Sequence, residues 1–407
     1  MISVIRKSPN EQSKLFNKKL VLQCIRTYQP ISRAEIAGKL NFSKPTVSIL
    51  VDELVQENWI HERGIGESSS QGGRRPIQLY FNEKAAYVVG VDIGGTKVKA
   101  AISDLTGNII CSRTFSTKKH LKQLMRMLYT EVFDMLQQSQ IAEELVLGMG
   151  VGVPGIVETE TGVVLEAPSL NWIRYPFLTE SERYFSFPVY VDNDVNVAVL
   201  GEQWLGSAQK KENILFIAVG TGIGSGIIIH NQLYRGASYA AGEIGYLVTD
   251  KNDMKKEFKP IFHRYGYLES VAGGKAIGEK LTMAIREERN HPLYKEAIAS
   301  ELTGKQAFLL ASDGDKVALK IVENAIEHLA YGIINAASLL NPEVVILDGG
   351  VMKSADFILP RLQKIVQPYL PSSVGIHQSE LGENAGVLGA ISLFLREYDS
   401  ILNAPNL

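Results

Sequence analysis

Two stretches in which glycine and threonine follow a strand have the composition of phosphate-binding turns. The first reads Asp92-Ile-Gly-Gly-Thr-Lys97 and the second Gly220-Thr-Gly-Ile-Gly-Ser-Gly226. Glycine lets backbone N–H groups approach an anion with no Cβ in the way, and Asp92 at the mouth of the first turn could hold the magnesium of a nucleotide. The residues expected to contact nucleotide phosphates are Asp92, Gly94, Gly95, Thr96, Lys97, Gly220, Thr221, Gly222 and Gly224.

Strand-type residues surround both turns, in segments 88–92 and 97–102 and again in 214–219 and 227–229. A dinucleotide-binding fold or a Walker P-loop would place a helix after the glycines. Two strand–turn–strand units instead predict two α/β lobes facing each other across a cleft, which is the phosphate-clamping plan of the actin/hexokinase-like (ribonuclease H-like) ATPases. The alternative interpretation is that each turn is only a tight hairpin.

Polar residues crowd the end of a predicted strand at Asp192-Asn193-Asp194, and an apolar helix follows them. The amide of Asn193 and the carboxylate of Asp194 are therefore expected to point into the cleft. A kinase acting on a hydroxyl needs one carboxylate in reach of its proton, so Asp194 is the candidate general base. Helix capping by one of the three residues is the alternative.

Two further acids fit a pocket for a sugar. Glu243 lies in a loop of small residues, Tyr234–Tyr246, and Gly266–Ser270 presents Glu269. Carboxylates accept hydrogen bonds from sugar hydroxyls, so several converging acids and an amide suit a neutral sugar. Each glutamate alone has the alternative interpretation of a surface acid.

The N-terminal residues predict a helix-turn-helix. Lys14–Thr27 has helical apolar spacing, Ser32–Glu35 is a capping box, and Arg33–Leu40 forms a short second helix. A third helix starts near Ser43 and would enter the major groove of DNA. Its predicted buried stripe comprises Val47, Leu50, Val51, Leu54 and Val55, and its predicted DNA contacts are Ser43, Lys44, Thr46 and Ser48. A small helical protein-interaction module is the alternative.

Two strands that form a wing are predicted at 59–63 and 76–81, on either side of a segment rich in glycine and serine. That segment ends in Arg74 and Arg75, which are expected to contact DNA phosphates or a minor groove; a solvated linker is the alternative. Residues 1–82 carry 12 basic and 7 acidic residues, whereas the remaining chain carries 30 and 37. The excess of basic residues in 1–82, beside an acidic remainder, favours a partner of residues 1–82 that carries phosphates.

Length and composition indicate an ordinary globular protein of two or three domains. The chain has 407 residues, of which 45% are hydrophobic and 21% charged. It contains no run of 18 apolar residues and no charged-then-apolar leader, so no membrane contact is expected. The two cysteines, Cys24 and Cys111, fall in different predicted domains and suggest a reducing, cytoplasmic location.

Together these motifs resemble the ROK family (repressors, open reading frames and sugar kinases) over about residues 14–395. Both glycine turns match its phosphate motifs, Asn193-Asp194 its sugar-and-base motif, and Glu243 and Glu269 its glutamate motifs. Val344–Val351 and Leu381–Ala390 look like its adenine-side strand and closing loop. The resemblance implies sugar contacts for Asn193, Asp194, Glu243, Tyr246 and Glu269.

The sequence departs from the family where relatives hold a structural zinc. The position of the family's zinc-binding histidine is Tyr246, and the three cysteine positions hold Pro260, Phe262 and Tyr267. A tetrahedral zinc needs four nitrogen or sulfur donors, so no metal site is expected and these residues are predicted to form an apolar cluster. Because the histidine also lies beside the sugar in relatives, Tyr246 leaves the identity of the sugar open.

The resemblance implies a sugar-responsive repressor of a carbohydrate-catabolic operon, of the xylose, glucose or N-acetylglucosamine type. It implies an N-terminal winged helix at 1–82, a first lobe at 83–194 completed by 381–400, and a second lobe at 195–380 that carries the sugar site and the dimer interface. The expected partners are a near-palindromic operator, a small sugar and a second copy, as a homodimer or a dimer of dimers. The alternative function is a sugar kinase that uses Mg-ATP and carries a DNA-binding domain. A third interpretation is a repressor whose repression is relieved by a partner protein instead of a sugar.

Overall fold

The structure is a computed structural model that describes residues 9–65, 76–120, 123–252, 266–370, 374–398 and 402. Its N-terminal part consists of three helices and a hairpin, which are α1 (Pro9–Tyr28), α2 (Arg33–Leu40), α3 (Lys44–Gln56), β1 (Ile60–Ile65) and β2 (Ile77–Phe81). The strands β1 and β2 pair antiparallel. This arrangement is the winged helix-turn-helix that the sequence predicts.

Helix ends in this unit form where the sequence places caps. The side chain of Ser32 accepts the N–H of Glu35 at 3.3 Å, and Glu35 Oε2 accepts the N–H of Ser32 at 2.8 Å, so the capping box is present. Ser43 caps α3. The predicted apolar stripe of α3 is wrong at its last member, because Val55 is exposed. Val55 lies about 80° around the helix from Val47, at the edge of the buried face.

The body contains two five-stranded sheets of similar build. The first has the order β10-β6-β3-β4-β5 and the second β13-β12-β11-β14-β15. In each, an antiparallel hairpin (β3-β4 or β11-β12) pairs in parallel with a later strand, β6 or β14. The strands of these sheets are β3 (Tyr87–Ile93), β4 (Lys97–Asp104), β5 (Ile109–Ser116), β6 (Val146–Val153), β10 (Val189–Asn193), β11 (Ile214–Val219), β12 (Ile223–Ile229), β13 (Gln232–Leu233), β14 (Val344–Asp348) and β15 (Gly375–Gln378).

The remaining elements cover these sheets or connect their strands. A small antiparallel sheet comprises β7 (Ile156–Glu158), β8 (Val163–Ala167) and β9 (Trp172–Tyr175). The helices are α4 (Thr117–His120), α5 (Leu124–Gln138), α6 (Phe177–Ser181), α7 (Asp194–Leu205), α8 (Glu269–Ala272), α9 (Gly274–Glu287), α10 (Tyr294–Ala299), α11 (Gly304–Ser312), α12 (Lys316–Leu340), α13 (Ala355–Val366) and α14 (Ala385–Glu397). None of the described helices combines the length and apolar character that crossing a membrane requires.

The second glycine turn is shorter than the sequence predicts. The sequence predicts a turn over Gly220–Gly226, but β12 already begins at Ile223. The later glycines serve helix packing, because a Cβ on Gly226 would lie 2.8 Å from the carbonyl oxygen of Val195 in α7. Glycine at this position therefore permits close approach of a helix to a strand.

Helices α7 and α14 cross between the sheets with their backbones in contact. A Cβ on Gly389 of α14 would lie 1.7 Å from the carbonyl oxygen of Val197, and one on Gly201 of α7 would lie 2.7 Å from that of Ala385. Strand β6 meets α14 in the same way at Gly150. Because α14 packs on α7, β3 and β6, the C-terminal segment is joined to the first sheet. The domain limits expected from the sequence stay a prediction.

The winged helix shares a hydrophobic cluster with the body. Ile25 and Phe81 of the N-terminal unit belong to the same cluster as Val88 of β3 and Phe394 of α14. Within the N-terminal unit, the guanidinium of Arg26 lies over the ring of Phe81, 5.1 Å from its centroid. The N-terminal unit is therefore packed against the end of α14 in this structure.

Candidate functional site

The end of β10 and the start of α7 carry the polar residues predicted to do chemistry. Asn193 caps α7, and its Oδ1 accepts the N–H groups of Val195 at 2.9 Å and Asn196 at 3.0 Å. Its Nδ2 donates to the carbonyl oxygen of Gly155 at 2.9 Å. Asn193 therefore fulfils the capping alternative and is held rigidly at the edge of the cleft. Asp194 is the first residue of α7.

Asp194 and Asp92 line one cavity of about 170 Å³. Burial raises the pKa of Asp194 to about 7, and the nearby charges of Asp92 and Glu243 add to the shift. Burial also raises the pKa of Asp92 to about 6, while Lys97 and Lys99 oppose that rise. The residues lining this cavity are Asp92, Lys97, Lys99, Asp194, Val195, Ala198, Phe216, Ala218, Asp348, Gly382, Glu383 and Gly386. A carboxyl that titrates near neutral pH is suited to accept a hydroxyl proton.

Replacing Asp194 with asparagine is expected to stabilise the protein at pH 8 by about 1–3 kcal/mol. The pKa of Asp194 rises from 3.8 to about 7 on folding, so the folded state holds this proton more tightly than the unfolded chain does. Stability is therefore lost as the pH rises through this interval, and asparagine avoids the loss. Thermal unfolding of both proteins at pH 8 and pH 4 tests this. An equal gain in Tm at both pH values would contradict it, because the carboxyl is protonated at pH 4.

A carboxylate from the C-terminal segment pairs with the lysines beside the first glycine turn. Glu383 Oε2 lies 4.0 Å from Lys97 Nζ, and its Oε1 lies 3.1 Å from Lys353 Nζ. Lys99 Nζ donates to the backbone oxygen of Glu383 at 3.1 Å and to Asn384 Oδ1 at 2.6 Å. Lys353 and Lys97 hold the pKa of Glu383 below its ordinary value. A phosphate at this turn would compete with Glu383 for the same cations.

The two glycine turns are closed by hydrogen bonds of their own. The N–H of Gly94 donates to the carbonyl oxygen of Lys97 at 2.8 Å, and the N–H of Gly220 donates to that of Gly222 at 2.9 Å. These two N–H groups therefore stabilise tight hairpins, as the alternative interpretation has it. Thr96 and Thr221 are exposed at the turns. Phosphate binding by the remaining groups stays a prediction.

Glu269 supports the second glycine turn from the first position of α8. Its Oε2 accepts the N–H of Ile223 at 2.9 Å, and a Cβ on Gly222 would lie 2.5 Å from the same oxygen. Burial raises the pKa of Glu269 above its ordinary value. The structure thus gives Glu269 a structural contact, and its predicted contact with a sugar stays a prediction.

A second, smaller pocket adjoins the first and contains the other predicted sugar residues. Its volume is about 30 Å³, and it shares Val195 with the larger cavity. The residues lining it are Gly155, Asn193, Val195, Asn196, Gly224, Ser225, Tyr239, Ala241, Gly242 and Glu243. The structure therefore brings Asn193 and Glu243 together, next to Asp194. Neither Glu269 nor Tyr246 lines either of these two pockets.

The positions that correspond to zinc ligands in relatives are partly described. Tyr246 is 41% exposed and ends a short helical turn, Ile244–Tyr246. Pro260 and Phe262 lie outside the described residues, so the predicted apolar cluster stays a prediction. Among the residues that the structure describes, no group of three or more His, Cys, Asp or Glu side chains could hold a metal ion.

The predicted DNA-contacting residues of α3 lie together at its N-terminus. The hydroxyls of Ser43 and Thr46 hydrogen bond to each other at 2.7 Å, and Lys44 is exposed beside them. Ser48 lies one turn further along and is partly exposed. Arg74 and Arg75 lie outside the described residues. DNA contact by these residues stays a prediction.

Sequence reasoning missed four residues of this surface and cleft. Ile49 of α3 is 57% exposed. It lies outside the predicted apolar stripe of this helix, and that position could have indicated its exposure. Asp348 and Glu383 line the larger cavity, and Tyr239 lines the smaller one. Tyr239 lies in the small-residue loop around Glu243, but nothing local distinguishes its side chain from a solvated one.

Curated relatives match nearly the whole chain. A protein named "Putative xylose repressor" from Caldicellulosiruptor sp. (strain Rt8B.4) is 31% identical over 390 residues, covering 94% of this chain and 96% of the relative. The xylose repressor of Bacillus subtilis (strain 168) is 30% identical over 390 residues, covering 95% and 96%. A glucokinase of Halalkalibacterium halodurans is 30% identical but covers 77% of this chain.

Solved structures share the fold. A ROK family transcriptional regulator, described as a homolog of the Escherichia coli MLC protein, aligns with a TM-score of 0.77 and 24% identity over 94% of this chain and 96% of its own. A ROK family glucokinase from Streptomyces griseus, solved in complex with glucose and AMPPNP, aligns with a TM-score of 0.66 and 27% identity over 76% of this chain and 99% of its own.

Family comparisons divide the chain into two matched segments. Residues 18–63 match the MarR family, in agreement with the winged helix-turn-helix of the N-terminal unit. Residues 88–397 match the ROK family, and they contain both glycine turns, both pockets and helix α14. The chain therefore belongs to the ROK family.

Proposed function

We propose that this protein is a sugar-responsive transcriptional repressor. The observation that carries the proposal is that proteins named xylose repressor match 94% or more of this chain, through both the DNA-binding unit and the two-lobed body. The glucokinases that match it cover 77% and 75% of this chain, which is about the share that the ROK segment 88–397 makes up. The N-terminal unit is thus the part that separates this chain from the kinases of its family.

The winged helix would bind operator DNA through α3. Its exposed N-terminus offers hydroxyls and the cation of Lys44 to the major groove, with Arg74 and Arg75 contacting phosphates or a minor groove. A homodimer would place two such helices about one DNA turn apart and would require a near-palindromic site. Binding of this kind is strongly dependent on salt because it displaces counterions from the phosphates.

Replacing Lys44 with glutamate is expected to weaken operator binding by about 10- to 100-fold. The change removes a cation at the N-terminus of α3 and sets a carboxylate against the DNA phosphates. Fluorescence anisotropy with a duplex selected from a random library by the full chain measures the Kd. Lys305→Glu in α11, on the second lobe, serves as the control, with a change below about twofold. Equal affinities for Lys44→Glu and the control would contradict the proposed role of α3.

The sugar would bind beside Asn193, Asp194 and Glu243. The carboxylates of Asp194 and Glu243 can accept hydrogen bonds from hydroxyls, whereas Asn193, whose Oδ1 is used in capping α7, can offer the second N–H of its amide. Xylose is the first candidate because the relatives that are 30–31% identical over 94% or more of this chain carry its name. Glu269 would act through the second glycine turn that it supports. Relief of repression requires that the sugar bind one arrangement of the lobes more tightly than the other.

Calorimetric titration with xylose, glucose and N-acetylglucosamine tests sugar binding directly. We expect one of these sugars to bind, and Glu243→Gln to raise its Kd by more than about tenfold because a charge-assisted hydrogen bond is lost. Glu279→Gln on α9 changes a partly exposed glutamate that lines neither pocket and should leave the Kd unchanged. Binding that is the same in Glu243→Gln and Glu279→Gln would place the sugar elsewhere.

A second function, ATP-dependent phosphorylation of the sugar, is favoured by one observation. Asp92 and Asp194 line the same cavity, where burial raises the pKa of Asp194 to about 7, and such a carboxyl suits a general base that must accept a hydroxyl proton. Mg-ATP fits the cleft in part: Asp92 would hold the magnesium and Lys97 a phosphate, but Glu383 already pairs with Lys97. When bound, Mg-ATP would supply the transferred phosphoryl group.

A coupled ADP-release assay with Mg-ATP across the same sugars separates the two functions. Turnover that requires a sugar and is lost in Asp194→Asn would make the protein a kinase as well as a regulator. Absence of turnover, together with sugar binding in the calorimeter, would assign the cleft to sensing alone.

A further inference from the structure

The guanidinium of Arg235 pairs with two carboxylates from different elements. Its Nε donates to Asp192 Oδ2 at 2.7 Å, and its Nη2 donates to Glu397 Oε1 at 3.3 Å. Asp192 lies in β10 at the edge of the cleft and is 1% exposed. Glu397 is the last residue of α14. One cation therefore joins the strand that leads into the site to the C-terminal end of α14.

Asp192 in turn fixes the residues that point into the cleft. Its Oδ1 accepts the N–H of Asn193 at 2.7 Å and the side-chain amide of Asn196 at 3.0 Å. Because Asn193 caps α7 and Asp194 begins it, the position of Asp192 sets the position of both. One oxygen of this buried carboxylate, Oδ1, thus contacts the residues of the site, and the other, Oδ2, contacts Arg235.

Arg235 also begins the segment that forms one wall of the smaller pocket. Its carbonyl oxygen accepts the N–H of Ala241 at 3.1 Å, which closes the loop that carries Tyr239. Gly242 continues the wall, and its carbonyl oxygen accepts both the N–H and the hydroxyl of Ser225 at 2.8 Å. A sugar that displaces this wall would also move the backbone of Arg235, because the two are joined by the hydrogen bond from Ala241.

The other end of the connection reaches the DNA-binding unit. Phe394, near the end of α14, lies in the same hydrophobic cluster as Ile25 of α1 and Phe81 of β2. Leu402 belongs to this cluster, and its carbonyl oxygen lies 3.5 Å from Arg26 Nη1. A shift of the end of α14 therefore changes the packing beneath the winged helix.

We infer that Arg235 is the positioning residue through which sugar binding is coupled to DNA binding, with Glu397 as its contact on α14; this inference rests on the proposed function. When the pocket wall moves to admit a sugar, Arg235 changes its pairing with Asp192 and Glu397. The end of α14 then adopts a second arrangement, in which the winged helices are held differently. Both sites thus bias one structural element, as coupling requires.

The test compares the coupling factor, which is the ratio of the operator Kd with xylose to the operator Kd without it. It uses the full chain, saturating xylose and a duplex selected from a random library. Glu397→Gln is expected to keep the Kd for xylose and the sugar-free Kd for DNA within about twofold of the original protein, because this pair is partly exposed. Its coupling factor should fall by about 3- to 10-fold.

Arg235→Gln extends the test to the site itself. It should lower the coupling factor and also raise the Kd for xylose by more than about tenfold, because buried Asp192 loses its cation. Arg235→Lys keeps the positive charge, but a lysine can pair with only one of the two carboxylates at a time. Its coupling factor and its Kd for xylose should therefore lie between those of Arg235→Gln and of the original protein. The double variant Arg235→Gln with Glu397→Gln should have the coupling factor of Arg235→Gln alone.

Glu180→Gln is the matched control, since Glu180 pairs with Arg183 on the surface of the first lobe. A Glu397→Gln coupling factor equal to that of Glu180→Gln would overturn the inference, provided that both variants unfold at the original Tm. Glu397→Asp, which keeps the charge, replaces Glu397→Gln if the latter unfolds early. If xylose, glucose and N-acetylglucosamine all leave the operator Kd of the original protein unchanged, the proposed function fails and this inference fails with it.

Discussion

Alanine in place of Gly389 is expected to lower the free energy of unfolding by more than about 4 kcal/mol or to prevent folding. The added Cβ would lie 1.7 Å from the carbonyl oxygen of Val197 and 2.4 Å from its carbonyl carbon. Both are backbone atoms of α7, so no side-chain rotation relieves the clash and the two helices must separate. The effect reaches the site, because α7 begins with Asp194, and Gly386 of α14 would meet Asp92 at 2.6 Å if it had a Cβ.

Urea-induced unfolding followed by circular dichroism measures this loss. Gly38→Ala in α2 is the matched control, because a Cβ there has nothing within 4 Å. Alanine favours a helix over glycine, so Gly38→Ala should gain about 0.5–1 kcal/mol. Similar stabilities for the Gly389 and Gly38 variants would contradict the close helix crossing.

Glutamine in place of Glu202 is expected to destabilise the protein by about 2–4 kcal/mol. The carboxylate is buried in α7 and accepts four hydrogen bonds. Its Oε2 accepts the N–H and hydroxyl of Ser207, both at 2.8 Å, and its Oε1 accepts the hydroxyl of Ser379 at 2.6 Å and the N–H of Leu381 at 3.0 Å. A glutamine amide would present a donor to one of these pairs and leave a backbone N–H without an acceptor.

Differential scanning calorimetry of Glu202→Gln and Glu279→Gln tests this role. Glu279 lies on α9, 3.7 Å from Lys275 Nζ, and its replacement should change stability by less than about 0.5 kcal/mol. Because Glu202 holds the loop that leads into Glu383, its loss should also alter the lysine contacts at the first glycine turn. A Glu202 variant as stable as the Glu279 variant would show that this network contributes little.

The sequence reveals features that depend on neighbours along the chain. Both hairpins, β3-β4 and β11-β12, follow from strand-type residues on either side of glycine. The capping box at Ser32 and the start of α3 at Ser43 follow from local hydrogen bonds that fixed spacings allow. The fold class predicted from these patterns is confirmed by the structure and by the match to the ROK family.

Local sequence patterns do not indicate side-chain contacts between residues that lie far apart in the chain. Arg235 meets Asp192 and Glu397, which lie 43 and 162 positions away, and no local pattern indicates such a pairing. Glu269 looks like one more pocket acid until its contact with the N–H of Ile223 is seen. The glycines after Gly222 suggested a longer turn because glycine has the same appearance in a sequence whether it serves a turn or a close helix contact.

Operator binding by the full chain, measured with and without sugar, tests the central claim most directly. Anisotropy titrations would use a selected duplex at physiological salt, with xylose, glucose and N-acetylglucosamine in turn. The proposed function predicts that one sugar weakens operator binding by about 5- to 150-fold, and that Glu243→Gln needs more of that sugar for the same effect. An operator Kd unchanged by every sugar, from a protein that binds the duplex tightly, would contradict it.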